Sequence, residues 1–393
     1  RCEMQKLIMF ISMLIMLVVT FMLESCRNVF NLNVKTTKIF HEDIKKVSLS
    51  PDRKRLLMIN DRDEIVLFDV EKEEIIARYS MVTDDYVIYE HSISWEANNE
   101  ISLVKHCSSF DNKNKIVEYY VTKDLKYFNR IFQYNDDFRI YLSPTRENAI
   151  VRNTKTNEIV IKYNDDNIWK TGLSFEITGI GWSNDDRYVF LDFKKETYLV
   201  DTQKQRIEKL DKYFSGEWAP TKNLYCFYTG LEAKGFQENG IYVFNTEDLS
   251  FIKLNSNMEP SYKSLPNTWG PTFIWSPDSR YIAIPDVGEM FLFDTASPEQ
   301  KPKILVDFDG QIDRNRVAWS KDLKHVLFSY DTASINVFKL YNYYVARVNI
   351  DTRKMKKRYI DGLLHKEFFW IDDNTIIYRV EYENGLYKSE IIW

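Results

Sequence analysis

One long apolar run opens the chain, and short apolar runs fill the rest of it. Leu7 to Leu23 carries no charge and is interrupted in polarity only by Ser12 and Thr20. Its 17 residues match the lower limit for a spanning helix and slightly exceed the apolar core of a secretory signal. Residues 1–25 therefore read as a signal peptide or membrane anchor, and 26–393 as the folded body. Beyond residue 26 no stretch keeps a helical period. Runs of β-branched and aromatic residues alternate there with Asn, Asp, Ser and Pro clusters, which predicts strands joined by turns.

These runs repeat. The clearest unit is Trp275-Ser276-Pro277-Asp278-Ser279-Arg280-Tyr281-Ile282-Ala283-Ile284, followed by Glu289-Met290-Phe291-Leu292-Phe293-Asp294-Thr295. It reads as strand, tight turn, strand, loop, and a third strand ending in an Asp-Thr corner; a more polar fourth strand, Lys303-Ile304-Leu305-Val306, follows. Pro fixes φ in such a turn, and Asp bonds back to its own backbone. Equivalent anchors stand at Leu49, Trp95, Leu142, Trp182, Trp218, Trp275, Trp319 and Trp370, separated by 46, 47, 40, 36, 57, 44 and 51 residues. Four antiparallel strands at this period form a propeller blade. Spread over the 368 residues from Cys26 to Trp393, eight blades average 46 residues and seven about 53. Propeller blades of this type run to roughly 40–45 residues, so eight fits better; seven would make the second or third unit an insertion. The eighth unit has room for three strands only. Val34 to Phe40 is expected to supply the missing outer one and close the ring, which leaves no exposed sheet edge at the seam. The predicted class is all-β: a single eight-bladed β-propeller of four-stranded antiparallel blades, preceded by one hydrophobic signal or anchor helix.

Two resemblances sharpen this. Ser50-Pro51-Asp52-Arg53-Lys54, Ser276-Pro277-Asp278-Ser279-Arg280 and Ser183-Asn184-Asp185-Asp186-Arg187 are similar to the TolB-like, WD-related propeller repeat, whose turn runs Ser-Pro-Asp-Gly-Lys/Arg. The usual Gly is replaced by Arg53, Ser279 and Asp186, so the chain is a divergent copy. Leu23-Glu24-Ser25-Cys26 resembles a bacterial lipoprotein signal, with Cys26 as the lipid-bearing residue; Glu24 departs from the pattern. That resemblance implies a body held at a membrane outside the cytoplasm, in the cell envelope.

Composition narrows the chemistry. A net charge of -5, with Lys and Arg dispersed, gives no basic footprint for nucleic acid. Only 12 glycines serve this many turns, so Asn, Asp and Ser must carry them. The four cysteines form no CxxC pair, and the five histidines are scattered along the chain. Acidic turns such as Asn164-Asp165-Asp166 read as turn formers rather than calcium ligands, and Asp307 to Ala318 lacks the bidentate Glu of a calcium loop. No Gly-x-Ser-x-Gly elbow, phosphate loop or dinucleotide fingerprint occurs. Neither a catalytic residue, a metal site nor a cofactor is expected.

In a propeller the connections between strands two and three, and between blades, open on one face; the other two kinds open on the opposite face. The long connections, Tyr79 to His91, Lys105 to Lys115, Thr229 to Gly240, Asn255 to Pro271 and Asp331 to Tyr341, all fall in the first class. Loops on a rigid frame carry recognition. Phe236, Tyr262, Trp269 and Tyr341 are the candidate ligand-binding residues there. The expected function is a membrane-anchored envelope lipoprotein acting as a non-catalytic binding or assembly scaffold for a protein or glycan. The alternatives are a propeller hydrolase or lyase acting on extracellular glycan through carboxylates in the central funnel, and a signal-anchored sensor domain.

Overall fold

In the computed structural model the chain forms a ring of blades, each but the last built from four strands consecutive in the chain. The structure describes residues 34–80, 87–95, 99–108, 115–135, 137–145, 147–163, 167–193, 196–210, 216–229, 240–254, 272–313, 316–332, 342–360, 368–380 and 383–393. Among them there are 32 strands and no helix long and apolar enough to cross a membrane. All pairings are antiparallel, as hairpin-joined neighbours require.

Blade one runs from Ile44–Leu49 to Glu74–Ser80, blade two from Val87–Trp95 to Asn129–Asn135, and blade three from Phe138–Leu142 to Ile168–Ser174. Blade four runs from Gly179–Trp182 to Arg206–Leu210, and blade five from Gly216–Trp218 to Ser250–Lys253. Blade six runs from Ile274–Trp275 to Lys303–Ile312, and blade seven from Ala318–Trp319 to Met355–Tyr359. Blade eight contributes Phe368–Trp370, Thr375–Tyr378 and Leu386–Ile391. Its fourth strand is Val34–Phe40, paired with Leu386–Ile391 from Val34 opposite Ile391 onward. The expected closure is therefore observed, and the second and third units are true blades. At the seam Gly385 has φ +94° and lies so close to Phe40 that a Cβ would stand 1.9 Å from its carbonyl oxygen.

Two boundaries differ from those the sequence predicts. Strands extend into the Tyr79 to His91 connection from both sides, to Ser80 and from Val87, so it is shorter than expected. The outer strand of blade six runs on to Ile312 and pairs with blade seven through Gln311 opposite Asp331 and Ile312 opposite Tyr330. Blades six and seven thus form one eight-stranded sheet.

The core is a ring of clusters between blades, because a strand sends alternate side chains to opposite faces of its sheet. Leu56 and Met58 pack towards blade eight with Ile377 and Leu386, whereas Leu57 and Ile59 pack towards blade two with Ile101 and Leu103. Between blades five and six, Cys226 and Val243 meet Trp275, Ile282 and Phe293. The fourth strands are the wet ones; in Glu74–Ser80 no residue is buried.

The anchor tryptophans tie neighbours together. The Nε1–H of Trp95 donates to Ser48 O (3.2 Å), Trp218 to Gly181 O (3.1 Å), Trp275 to Glu217 O (3.1 Å), Trp319 to Ile274 O (3.2 Å) and Trp370 to Arg316 O (3.1 Å). Each indole crosses to the innermost strand of the preceding blade or, for Trp370, to the segment just before it. This satisfies a carbonyl that the inner sheet edge leaves unpaired.

Candidate functional site

The Ser-Pro-Asp turns build one face of the ring. In blade six the Ser276 hydroxyl donates to Asp278 Oδ1 (2.5 Å) and accepts from Tyr281 N (2.8 Å), while Asp278 Oδ1 accepts from Arg280 N (3.1 Å). The same circuit recurs with Ser50 and Asp52, Ser183 and Asp185, and Ser320 and Asp322. The Ser320 hydroxyl and the Lys324 N–H hold the Asp322 carboxyl below its ordinary value. Four residues beyond the anchor the chain enters the left-handed region, at Arg53 (φ 61°), Asn99 (63°), Asp186 (59°), Ser279 (58°) and Leu323 (60°). Glycine would take that conformation without strain.

Some of these residues reach into the blade before. Asn99 Oδ1 accepts from Asp52 N (2.9 Å), Asp186 Oδ1 from Thr145 N (3.0 Å) and Ser279 Oγ from Thr221 N (2.9 Å). In blade eight, Asp373 Oδ1 accepts from Lys321 N (3.1 Å). The four latches join blades one to two, three to four, five to six and seven to eight. Among the described residues no equivalent contact joins blade eight to one, four to five or six to seven, where Arg53, Lys222 and Leu323 occupy the position. The strongest latch is Asp186, 4% exposed, which also accepts from the hydroxyls of Ser143 and Thr145.

The third-to-fourth-strand corners lie on this same face. Thr202 N donates to Arg187 O (2.8 Å), Thr295 N to Arg280 O (2.9 Å), and Ile350 N to Lys324 O (3.0 Å), each binding a corner to the turn of its own blade. Between turns and corners lie two grooves. The larger, about 650 Å³, sits between blades three and four and is lined by Glu147, Asn148, Tyr163, Asn167, Ile168, Thr202, Gln203 and Gln205. Its walls are fixed from below: Asn148 Nδ2 and Thr202 Oγ1 both donate to Asp186 O (3.3 and 2.9 Å), and the Tyr163 hydroxyl donates to Thr202 O (2.9 Å). The smaller groove, about 230 Å³, lies between blades four and five and is lined largely by charges, including Asp201, Lys204, Arg206, Glu208, Glu247 and Asp248. The run Gln203-Lys204-Gln205-Arg206 is split between them, amides to one groove and cations to the other.

Towards the long-loop end of blades four and five stand two carboxyls with raised proton affinity. Burial pushes Asp192 up, against a hydrogen bond from Thr197 Oγ1 (2.7 Å). Crowding by the surrounding protein pushes Glu217 up, although its residue keeps solvent contact. Nearby, the Gly216 N–H donates to the Tyr225 hydroxyl (2.6 Å); a Cβ on Gly216 would stand 1.9 Å from Cys226 O, so no larger residue fits. Burial raises the Tyr225 phenol well above its ordinary value, and likewise the free Cys226 thiol.

Phe236, Tyr262, Trp269, Tyr341 and Cys26 lie outside the described residues. The grooves on the opposite face were not expected, since that face reads as tight turns alone. A signal for them exists in the alternating Gln203-Lys204-Gln205-Arg206, but its meaning depends on which blade stands to either side. Among the described residues no three His, Cys, Asp or Glu side chains converge as a metal-binding group.

The ring is similar to the crystal structure of the C-terminal WD40 domain of Sif2, with a TM-score of 0.52 and 12% sequence identity over 91% of this chain and 98% of that one. It also resembles a eukaryotic initiation factor (TM-score 0.49, 12% identity, 81% of this chain and 88% of that one). A third likeness is to the propeller domain of Myceliophteria thermophila Cps50 (Swd1) (TM-score 0.41, 12% identity, 91% and 100%). At such identities the likeness is one of fold. The chain is an eight-bladed β-propeller with WD40 domains among its structural neighbours. No family profile matches it, and no curated protein matches it by sequence.

Proposed function

We propose that this propeller is a non-catalytic binding or assembly scaffold of the cell envelope, a divergent TolB-like repeat protein held at a membrane through a lipid on Cys26 or through its apolar leader. The long-loop face engages a protein or glycan. The observation that carries this reading is the division of labour between the faces. One end of the ring carries short turns held by hydrogen bonds within and between blades, while the longest connections leave strand ends at the other. A rigid frame with variable loops at one end is the usual arrangement for recognition. Capture from envelope extracts tests it, comparing the intact chain with one in which Asn257 to Thr268 is replaced by a short linker. The linker variant should lose partners; an unchanged set would sink the long-loop assignment. Mass spectrometry of the mature protein reads the anchor: a lipid on Cys26 is expected, and an unmodified Cys26 on a chain retaining Met4 overturns lipidation.

A second reading, hydrolysis or lysis of extracellular glycan, draws on Asp192 and Glu217, because carboxyls with raised proton affinity suit general acid work. Asp192→Asn and Glu217→Gln would each abolish release of reducing ends from a polysaccharide substrate. Equal release by all three proteins would remove this reading.

A further inference from the structure

We infer that the outer rim of blades seven and eight docks on an anionic lipid surface. Lys and Arg are dispersed along the chain except at one place, Arg353-Lys354-Met355-Lys356-Lys357-Arg358. The fold puts this run on the circumference of the ring. Met355–Tyr359 is the outermost strand of blade seven, and Arg353 and Lys354 lie in the turn that leads into it. Arg353, Lys354, Lys356 and Lys357 are exposed. On blades one, two and four the outer strands carry cations matched to acids: Arg78 to Glu42 and Glu64, Arg130 to Glu118 (3.1 Å), Lys209 to Glu196 (2.7 Å). On blade seven the contacts are of another kind. Arg358 donates to two carbonyls, Ile392 O (2.7 Å) and Lys357 O (2.9 Å), and the Lys357 ammonium lies over the Tyr344 ring (5.3 Å). Carbonyls and a ring steady these side chains and leave their charge in place.

The neighbouring outermost strand, Val34–Phe40, adds Lys38 and, like Met355–Tyr359, contains no acid. Ile392 joins the two strands: its carbonyl accepts from Arg358, and the adjacent Ile391 stands opposite Val34. Its side chain is 63% exposed. A large apolar side chain beside cations suits the headgroup boundary of a bilayer, where the cations meet anionic headgroups and the apolar group enters the acyl region. A nucleic acid would use the cations and leave the isoleucine in water. The attraction is local, because a chain of net charge -5 as a whole is repelled by an anionic surface. The position of the rim rests on the reading of the apolar leader as a membrane segment. Residues 24–33 alone separate Leu23 from Val34, a span of at most about 35 Å. Leader and rim therefore reach the same bilayer. One acyl chain holds a protein only marginally, and a basic patch is a usual second signal. Docked on this rim the ring stands edge-on, with the long-loop face open to partners.

The test is lysine acetylation of the full chain on vesicles, read residue by residue by mass spectrometry, beside flotation of the same samples. One set of vesicles is pure phosphatidylcholine; the other also contains phosphatidylglycerol. Lys354, Lys356 and Lys357 should react at least tenfold more slowly on the anionic set, and high salt should abolish the difference. Lys170, Lys204 and Lys303, exposed on other blades, should react alike on both. In the triple variant Lys354→Gln, Lys356→Gln, Lys357→Gln, with an unchanged melting temperature, the remaining Lys38 should also react alike on both. A chain that fails to float with neutral vesicles, yet shows slowed rim lysines on anionic ones, would overturn the leader as an anchor and uphold the rim. Equal reaction of the rim lysines on both sets overturns the proposal, as does protection by single-stranded DNA without protection by anionic vesicles.

Discussion

The junction between blades three and four and the junction between blades four and five use the same two motif positions and close in different ways. At the first, blade three brings Leu142 as its anchor, and the Trp182 indole Nε1–H of blade four is buried without an acceptor. The closing contact is instead Asp186, whose carboxylate takes up Ser143 and Thr145. At the second, Trp218 donates to Gly181 O (3.1 Å) and stacks on Phe190 at 5.0 Å. Lys222 stands where Asp186 stood and makes no latch; Asn184 Nδ2 reaches Ala219 O (3.2 Å) instead, and Arg187 pairs with Asp201 (3.5 Å) and Glu247 (2.9 Å). A missing indole bond is accompanied by a buried carboxylate latch, and a missing latch by an indole bond and ion pairs. Apolar packing is present at both. What differs is how each junction fixes its register, and which groove it leaves: amide-lined in one, self-neutralising in the other.

Substitutions can break this contrast. The largest loss is expected for Trp218→Ala, which deletes the stacked ring and its hydrogen bond together; a drop of about 4 kcal/mol by urea unfolding is in the range for a large aromatic. Asp186→Ala should cost about 3 kcal/mol, since it removes one charge-assisted acceptor from three donors, two of them on Ser143 and Thr145 side chains. If it costs no more than Ser279→Ala, the latch is not what fixes the first junction. Leu323→Gly acts with the opposite sign. Leu323 holds a left-handed φ of 60° at a cost and latches nothing, so glycine should stabilise by about 1 kcal/mol, read as a rise in melting temperature.

Asp192→Asn probes the upper part of the second junction by pH. Burial lifts the Asp192 carboxyl above its ordinary 3.8. The folded state therefore favours the protonated form, and stability falls as pH rises from the ordinary value through the raised one. The asparagine variant should be the more stable protein at pH 7, and the difference should vanish below about pH 4. A constant difference across pH would assign the effect to packing. A modest loss is expected for Trp182→Phe: with no indole acceptor to lose, the cost should stay under about 1.5 kcal/mol. A loss as large as that of Trp218→Ala would show that the two anchors are equivalent after all.

The sequence determined the local parts. Trp275 to Thr295 encodes a blade because strand alternation and the Ser-Pro-Asp circuit are closed within five residues of each other, as Ser276 with Asp278 and Tyr281 shows. The number of blades followed from the eight anchors, and the closure by Val34–Phe40 from a last unit one strand short. The three residues that replace the repeat's usual glycine, Arg53, Asp186 and Ser279, are found in the left-handed region. Tertiary structure decided everything that passes between blades. Asp186 meets partners some 40 residues earlier, and nothing within its own turn marks it as a latch while Arg53 and Leu323 at the same position latch nothing. The groove joins Glu147 of one blade to Gln203 and Gln205 of the next. A hydrogen bond within a turn is fixed by the spacing of its own residues. A contact across a junction depends on the angle and distance at which the closed ring presents one blade to another, and only the folded ring sets those.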